Sequence, residues 1–438
     1  MSDTEVLKTK VIGISEYNTR IKLQNELHAS PYELLSAPTL VSHIALLSNI
    51  SNAKEELRLV TQLCQHFSIS PPPNDARYFS ADFGLFRLRW ERHNEYCGYT
   101  FFVPVSSAVL FAESAIQQVS KEWLESLPGE IISATHIVLE KSDRPKYSTD
   151  ELSTIFSSNN FIGAKVAGDR AIVWTDNKIH SDGFCRILIS VTNLSRHQTG
   201  RLIKRLIDIE TYRMLAMLPV PLARNYIPVL ARLDDRLAEL TANNTALESL
   251  EDEQKLLNEL TRLAAEIESI SALTNQRFSA TSAYYNIVKL RISELREQRI
   301  QGLQMFHEFM EQRLTSAMDT CAAVHDNLET LSTRVARASE LLRTRVDITM
   351  EGQTRDLLQS MDERAHVQFR LQETVEGLSV VVLSYYLVGM VSYALKAVKT
   401  AGIHINVDIA TGLSIPFVFG LVYFGVHRLR KSIGNKEN

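Results

Sequence analysis

The stretch FRLRWERHNEYCGYTFFV, Phe86 to Val103, opens with charged residues at every second position. If it forms a β-strand, residues two apart share a face, so apolar and charged side chains separate onto opposite sides. The apolar side then carries Phe86, Leu88 and Trp90, and the charged side carries Arg87, Arg89, Glu91, His93 and Glu95. Such a row could be a metal or catalytic site, an anion platform, or the ion-paired outer face of a sheet.

The metal interpretation uses Glu91, His93 and Glu95, because carboxylates and imidazole suit several divalent metals. Arg87 and Arg89 on the same face would oppose a cation, so we predict no metal site. His93 between two carboxylates could act as a general base, but no nucleophile motif or phosphate-binding glycine loop accompanies it. We therefore expect a solvent-facing or ion-paired face, and predict neither enzymatic activity nor a cofactor.

Composition limits the class of protein. A chain of 438 residues is longer than one hydrophobic core usually organises, so we expect two or three structural units. With 47 basic and 51 acidic residues the net charge is -4, which gives no electrostatic reason to expect nucleic acid as a partner. The four separated cysteines lack zinc-site spacing and predict reduced thiols, and the N-terminal residues lack the pattern of a cleavable secretory signal.

Proline separates the chain into a mixed part and a helical part, because eleven of the twelve prolines lie at or before Pro228. Residues 1–228 alternate helix-like and β-rich runs, which predicts a cytoplasmic mixed α/β domain with about five or six strands. Residues 229–376 predict a long helical coiled-coil region, with turns near ANNTALESLEDE and NQRFSATSAYY. Its clearest 3-4 spacing is Cys321, Val324, Leu328, Leu331, Val335, Ala338 and Leu342.

Two uncharged runs near the C-terminus predict membrane spans. Residues 377–395, GLSVVVLSYYLVGMVSYAL, have nineteen positions without charge, and residues 409–426, IATGLSIPFVFGLVYFGV, have eighteen. A helix of that length covers about 27 to 29 Å, close to the thickness of a hydrocarbon layer of about 30 Å. The fold class expected is thus α+β, then a long coiled-coil region, then a two-helix transmembrane hairpin with an outer loop at 396–408 and a basic tail at 427–438.

Basic residues predict the orientation of this hairpin. Six lysines and arginines flank its outer ends and two lie in the loop. The flanking residues are Arg364, Arg370, Arg428, Arg430, Lys431 and Lys436, and the loop residues are Lys396 and Lys399. We expect a multi-pass protein of the inner (plasma) membrane with both termini in the cytoplasm, and a rigid helix running from about Thr320 into the first span.

Polar residues in and beside the spans are the remaining candidate sites. Neither span contains an ionisable Asp, Glu, Lys, Arg or His, which argues against a proton relay. The polar candidates of the first span, which could line a path or bond between helices, are Ser384, Tyr385, Tyr386, Ser392 and Tyr393. In the loop His404, Asn406 and Asp408 alternate and could attract a cation, although an ordinary turn explains them as well. Arg428, Arg430 and Lys431 in the tail are expected to meet anionic headgroups.

The chain resembles a mainly bacterial family catalogued as domain of unknown function 3422 and described as predicted membrane-anchored proteins. The stretches that carry the resemblance include HASPYELLSAPTLVSHIALLS, FRLRWERHNEY, GRLIKRLIDIETYRMLAMLPVPLAR, LLRTRVDITMEGQ and RLQETVEGLSVVVLSYYLVGMV. The resemblance implies a membrane localisation and no activity.

The architecture also resembles CorA-like magnesium channels, whose pore-mouth signature is Gly-Met-Asn. The nearest match is Gly389, Met390 and Val391, so the asparagine is missing and the glycine lies inside the span. The function expected is therefore binding, scaffolding or sensing by a membrane-anchored homo-oligomer whose partners are the lipid bilayer and an unidentified cytoplasmic molecule. A CorA-like divalent cation channel is the first alternative, and a membrane-tethered enzyme is the second.

Overall fold

The computed structural model describes residues 32–106, 110–142, 147–158, 160–243, 249–401 and 405–434, with a few positions before residue 21. The chain divides into two compact units. The first comprises residues 1–245 and 259–338, and the second comprises residues 246–258 and 339–438. The first unit holds the β-sheet, and the second holds the apolar C-terminal segments.

Nine strands of the described residues form one sheet. They are β3 (Thr39–Leu47), β4 (Tyr78–Asp82), β5 (Arg87–Arg92), β6 (Tyr96–Pro104), β7 (Glu130–Lys141), β8 (Ile162–Val166), β9 (Ala171–Thr175), β10 (Cys185–Val191) and β11 (Gln298–Arg299), while β1 (Lys10–Val11) and β2 (Ile14–Ser15) pair separately. The order across the sheet is β11-β8-β9-β10-β7-β3-β6-β5-β4. Neighbours are antiparallel except β10 and β7, which are parallel.

The helices are α1 (Ala53–His66), α2 (Lys121–Glu125), α3 (Thr149–Phe156), α4 (Arg196–Met217), α5 (Val220–Asn243), α6 (Leu250–Leu295), α7 (Phe306–Met310), α8 (Ser316–Thr400) and α9 (Val407–Gly434). A π-helical turn, Glu311–Thr315, joins α7 to α8. α4 starts at a capping box in which the Ser195 hydroxyl accepts from the Gln198 amide at 3.3 Å, and the Gln198 side chain accepts from the Ser195 amide at 3.0 Å.

The main core lies on one face of the sheet, against α1 and α3. Its members include Leu40, Ile44, Val60, Leu63, Phe86, Leu88, Trp90, Tyr99, Phe101, Leu152 and Phe156. The predicted inward direction of the apolar residues of β5 is confirmed. α4 covers the opposite face with its own buried residues, among them Leu202, Ile203, Leu206 and Ile209.

Gly200 allows α4 to lie close to the segment that precedes β3. A Cβ atom at this position would come within 1.7 Å of the carbonyl oxygen of Glu33. No side chain fits at that distance, so the tight approach of helix and backbone depends on glycine. The approach places the polar residues of α4 over the charged side of β5.

The mixed α+β character of the first part is confirmed, but the predicted number of strands is wrong. The sheet has nine strands, more than the five or six expected, and β3 lies between β7 and β6. A strand buried on both faces has no simple alternation, and eight of the nine residues of β3 are buried. The two-residue β11 comes from the predicted helical region and pairs with β8.

The long helices of the first unit pack on each other. Asp234 of α5 pairs with Arg334 of α8, Arg236 of α5 pairs with Glu259 of α6, and the Phe278 ring of α6 lies 6.3 Å from a histidine ring of α8. Six of the seven positions of the 3-4 pattern are buried within a single chain: Cys321, Val324, Leu328, Leu331, Val335 and Leu342.

One predicted helix junction is wrong, and another lies partly outside the described residues. The stretch NQRFSATSAYY is continuous helix within α6 (Leu250–Leu295), because Ser and Thr there do not interrupt a helix whose apolar positions pack on neighbours. The turn near ANNTALESLEDE falls between α5, which ends at Asn243, and α6. Residues 244–248 within it lie outside the described residues.

Within the part of the chain that the structure describes, three helical stretches are long and apolar enough to cross a membrane: Arg196–Ala242, Phe306–Thr400 and Val407–Arg428. In Arg196–Ala242, 33% of the most apolar 18-residue window is buried, because α4 packs on the sheet. The corresponding windows of the second and third are 11% and 6% buried. Those two windows therefore present their apolar side chains outward.

Candidate functional site

Arg87, Arg89 and Glu91 lie on the face of β5 opposite Leu88 and Trp90, as the alternation predicts. Leu88 and Trp90 have no exposed surface. The charged face is itself partly covered: the Arg89 side chain is 5% exposed and that of Glu91 is 15% exposed. Arg89 and Glu91 thus form a covered polar surface, whereas the Arg87 side chain is 42% exposed.

His93 and Glu95 lie in the turn after β5, because the strand ends at Arg92. The amide of His93 donates to the carbonyl of Tyr96 at 2.9 Å, which closes the turn into β6. The alternation of the row therefore stops at the end of the strand, and the predicted five-residue face contains three residues of β5.

Arg87 is held at the start of β5 by two carboxylates. Its guanidinium donates to Glu33 at 3.1 Å and to Asp82 of β4 at 3.3 Å. Glu33, whose side chain is 7% exposed, also accepts from Ser80 at 2.5 Å. These bonds attach the segment before β3 to the edge of the sheet.

A chain of alternating charges joins β5 to α4 and α6. The carboxylate of Glu91 accepts from Arg89 at 2.7 Å and lies 3.6 Å from the ammonium of Lys204. Lys204 lies 3.6 Å from Asp208, one helical turn further along α4, and Asp208 accepts from Arg291 of α6 at 2.9 Å. We call these five residues the polar layer.

Glu294 extends the polar layer at its α6 end. Its carboxylate accepts from Arg291 and from Arg205, each at 3.0 Å. Every carboxylate in this series therefore has at least one cationic partner. Since an unpaired charge at a covered site is costly, the pairing keeps the layer stable without requiring a bound ion.

His43 lies under the polar layer at the centre of the sheet and is 3% exposed. Its Nδ1 is 2.9 Å from the Thr100 hydroxyl, and its Nε2 is 3.3 Å from that of Thr211 on α4. Burial lowers the pKa of His43 to about 3; the charge of Glu91 acts in the opposite direction, and the charge of Arg89 lowers the pKa further. The ring is therefore neutral at physiological pH and serves as a hydrogen-bonding link between sheet and helix.

The three metal candidates have separate surroundings. Glu95 accepts from Arg277 at 3.2 Å and from the Tyr284 hydroxyl at 2.7 Å, both on α6. Glu91 belongs to the polar layer, and burial lowers the pKa of His93. Among the described residues, no group of three or more His, Cys, Asp or Glu side chains is arranged to hold a metal ion.

Glu210 and Arg213 form the intrahelical pair that their spacing predicts. The guanidinium donates to the carboxylate at 2.7 Å, and both side chains are largely buried. Arg213 also lies 3.8 Å from the sulfur of Cys185. All four cysteines are free thiols and buried, in agreement with the expectation of reduced thiols.

A cavity of about 470 Å³ lies beside the last turns of α6, where the chain reverses through α7 and the π-helical turn. We call it the α6–α7 cavity. Its floor is apolar, formed by the buried side chains of Val288, Ile292 and Met310. The polar lining is Tyr285, Lys289, Ser293, Glu297, His307, Glu311 and Thr315. A volume of this size is typical of sites for small molecules.

Glu297 is the most deeply placed charged group of the α6–α7 cavity. Its side chain is 5% exposed; one carboxylate oxygen accepts from the His307 amide at 3.3 Å and lies 3.4 Å from the His307 ring. The other oxygen, Oε1, is buried and has no hydrogen-bond partner among the described residues. Burial raises the pKa of Glu297.

A second cavity of about 570 Å³ lies between α6 and α8 and shares Tyr285 and Lys289 with the first. Its lining includes Asp319, His325 and Asp326 of α8. The Tyr285 hydroxyl bonds to Thr315 at 2.7 Å, and the Lys289 ammonium lies 4.5 Å from the centre of the Tyr285 ring. The two cavities thus have a common wall made of an aromatic ring and a cation.

The polar candidates of the first apolar run all lie on α8 and differ in exposure. Tyr385, Tyr386 and Tyr393 are 77%, 67% and 75% exposed, whereas Ser384 is 6% exposed and its hydroxyl has no partner in the described part of the chain. The remaining two candidates, Ser392 and Gly389, occupy helical positions in α8 without a bond or ring contact that would single them out.

The loop and tail candidates are only partly described. His404 lies outside the described residues, Asn406 precedes α9 and its carbonyl accepts from Ala410 at 3.1 Å, and Asp408 is in the first turn of α9. Arg428 is an exposed residue of α9. The tail positions whose backbone is helical but whose side chains lie outside the described residues are Arg430 and Lys431.

The profile of a family described as a protein of unknown function, DUF3422, matches residues 15–433. The chain belongs to the DUF3422 family. The match covers the sheet, the long helices and both apolar runs, and confirms the family identified from the sequence. No curated protein and no solved structure matches the chain.

The sequence of this DUF3422 member did not reveal the two features that the fold assembles. Lys204 and Asp208 are four apart on α4, a spacing that indicates an ion pair and was available in the sequence. His43 and Arg291 reach the layer from distant elements, without a local signal. Glu297 follows the end of α6 in a stretch that matches no motif, so only the fold shows it to be part of a cavity.

Proposed function

We propose that the protein is anchored in a membrane by residues 377–395 and 409–426, with the sheet-containing unit free to bind a partner at the cytoplasmic face. The observation that carries the proposal is that the most apolar windows of α8 and α9 are 11% and 6% buried. Bilayer hydrocarbon covers such side chains, which are costly to leave in water at about 25 cal/mol per Å².

The orientation proposed follows from charge. Lysine and arginine are retained on the cytoplasmic side of spans, and six such residues flank the outer ends of the proposed hairpin against two in its loop. The first unit and the tail then share the cytoplasmic side. The loop at residues 396–408 faces the opposite side.

We further propose that the protein works as a homo-oligomer. The segment of α8 that precedes the first apolar run has a series of apolar side chains that are each more than half exposed in a single chain. They are Leu357, Leu358, Met361, Val367, Phe369, Leu371 and Val375. A second copy of α8 is the simplest helix to cover such a series, through coiled-coil packing.

Cysteine labelling tests the membrane proposal with low background, because the four native cysteines are buried. Asn406→Cys in the loop should react with a membrane-impermeant maleimide in intact spheroplasts. Gln353→Cys, at an exposed position of α8 before the span, should react only after the membrane is permeabilised. Labelling of both in intact spheroplasts, or recovery of the protein in the soluble fraction, would overturn the proposal.

A CorA-like channel is the alternative, favoured by the continuity of α8 from the first unit into the proposed span. Light scattering of the detergent-solubilised chain separates the two functions, because a pore lined by one helix per subunit needs a ring of several copies. A pentamer that passes Mg²⁺ into liposomes would replace binding by transport. A dimer without flux would support the binding function.

A further inference from the structure

We propose that the α6–α7 cavity binds a small organic cation, an ammonium group attached to an apolar body. This inference gives a ligand class to the binding function proposed above and rests on it. The site is formed entirely by residues of the first unit, so its occupancy is measurable independently of membrane insertion.

The cavity combines an apolar floor with a buried acceptor. Val288 is 1%, Met310 5% and Ile292 7% exposed, and they line a space of about 470 Å³. A ligand with an apolar body gains affinity by covering such a floor, and a small number of polar groups then fixes its orientation. The polar group best placed for that purpose is Glu297.

Glu297 has an acceptor that the protein itself does not use. Among the described residues, Oε1 is buried without a hydrogen-bond partner, and no lysine or arginine forms an ion pair with the carboxylate. A buried carboxylate without a cationic partner is costly to ionise, and a cation bound in the cavity beside it would reduce that cost. An N–H of an ammonium group supplies both the donor and the compensating charge, and so favours the ionised carboxylate.

Other features of the lining also favour a cation. Glu311, an exposed carboxylate on the π-helical turn, has no cationic partner among the described residues. The Tyr285 ring already accepts a cation, since the Lys289 ammonium lies 4.5 Å from its centre. α6 ends at Leu295 next to the cavity, and the C-terminal end of a helix carries partial negative charge.

Two other ligand classes fit less well. A metal ion would need three converging ligands, and Glu297, His307 and Glu311 do not form such a group. An anion would have Lys289 as a partner, but it would also lie beside two carboxylates, and like charges repel at these distances.

The test is calorimetric titration of the detergent-solubilised full chain with phenethylammonium chloride at pH 7.5. The neutral analogue 2-phenylethanol, titrated in the same detergent, is the matched probe without charge. We expect binding of one phenethylammonium per chain, and binding of 2-phenylethanol weaker by about tenfold or more, the ratio that about 1.4 kcal/mol produces.

Two variants assign the binding to the cavity. Glu297→Gln keeps the shape of the side chain and removes its charge, and should weaken phenethylammonium binding by about tenfold or more while leaving 2-phenylethanol unchanged. Ser293→Phe fills the cavity from an exposed lining position and should abolish binding of both probes. Glu239→Gln, an exposed carboxylate on α5, is the control and should bind like the wild type.

The outcomes separate this inference from the membrane proposal. Equal affinity for the charged and the neutral probe, or unchanged binding by Glu297→Gln, would overturn the organic-cation site whatever the topology experiment shows. If Glu297→Gln does not fold, Ser293→Phe is titrated with both probes instead. Unchanged phenethylammonium binding by Ser293→Phe would mean that the ligand binds outside the cavity and would contradict the proposal.

Discussion

The carboxylates of the polar layer and those of the α6–α7 cavity have opposite electrostatic surroundings. In the layer Asp208 lies between Lys204 at 3.6 Å and Arg291 at 2.9 Å, so its charge is compensated within the chain. In the cavity Glu297 has an imidazole neighbour and an oxygen without a partner among the residues that the structure describes. Charged groups that stabilise a fold are paired, whereas the carboxylate in the cavity wall has no cationic partner among the described residues, and there we propose that a ligand supplies the compensating charge.

Asp208→Ala should cause the largest loss of stability relative to the wild type. The substitution leaves Lys204 and Arg291 without their shared carboxylate, and should lower the free energy of unfolding by about 3 kcal/mol. Urea unfolding followed by tryptophan fluorescence is a suitable measurement, since the three tryptophans, Trp90, Trp123 and Trp174, all lie in the first unit. A loss below about 0.5 kcal/mol would mean that the layer is solvated rather than structural.

Gly200→Ala tests whether the close approach of α4 supports the layer. The added methyl would overlap the carbonyl of Glu33, so the helix must move away from the segment before β3. We expect a loss of about 1 to 3 kcal/mol, typical of overpacking. Gly352→Ala, on α8 with open space around it, is the matched control and should be neutral or slightly stabilising.

The dependence of stability on pH should have opposite signs in the two regions. The pKa of His43 is lowered to about 3 in the folded chain, so the unfolded chain binds this proton first as the pH falls below about 6.5. Its contribution to stability is complete above that pH and decreases by up to about 1.4 kcal/mol per pH unit toward pH 3. Glu297, whose pKa burial raises, behaves in reverse: stability decreases as the pH rises from the ordinary pKa of 4.5 to the raised pKa, and the loss is constant above it.

His43→Gln measures how much His43 contributes to the pH dependence of stability. The amide can still bond to Thr100 and Thr211 but does not titrate. The difference in unfolding free energy between pH 7 and pH 5 should therefore shrink by about 2 kcal/mol relative to the wild type. An unchanged difference would show that His43 already titrates normally in the folded chain.

The smallest effect is expected from Glu297→Gln in the absence of ligand. Because it removes a buried charge that lacks a strong partner, the substitution should leave stability unchanged or raise it by up to about 1 kcal/mol at pH 8. Chemical denaturation with the same tryptophan signal provides the value. A loss comparable to that of Asp208→Ala would make the two carboxylates equivalent and remove the contrast between the regions.

Much of the local structure could be read from the sequence, because it depends on spacing. Alternation placed Leu88 and Trp90 inside and Arg89 and Glu91 on the other face, and three-residue spacing paired Glu210 with Arg213. The strand β3 was missed, since a segment buried on both faces has no period to detect. The positions of His93 and Glu95 were missed because a turn cannot be distinguished from a strand by alternation alone.

The sequence by itself determined the family, the mixed first part, the long helices and the two apolar runs, because these depend on composition and period along the chain. Only the tertiary structure decided which charges meet. Glu91, Lys204, Asp208 and Arg291 come from three elements, and their pairing depends on how α4 and α6 lie on the sheet. The same folding leaves Oε1 of Glu297 without a partner among the described residues, since compensation of a charge depends on which residues pack together and not on which are adjacent in sequence.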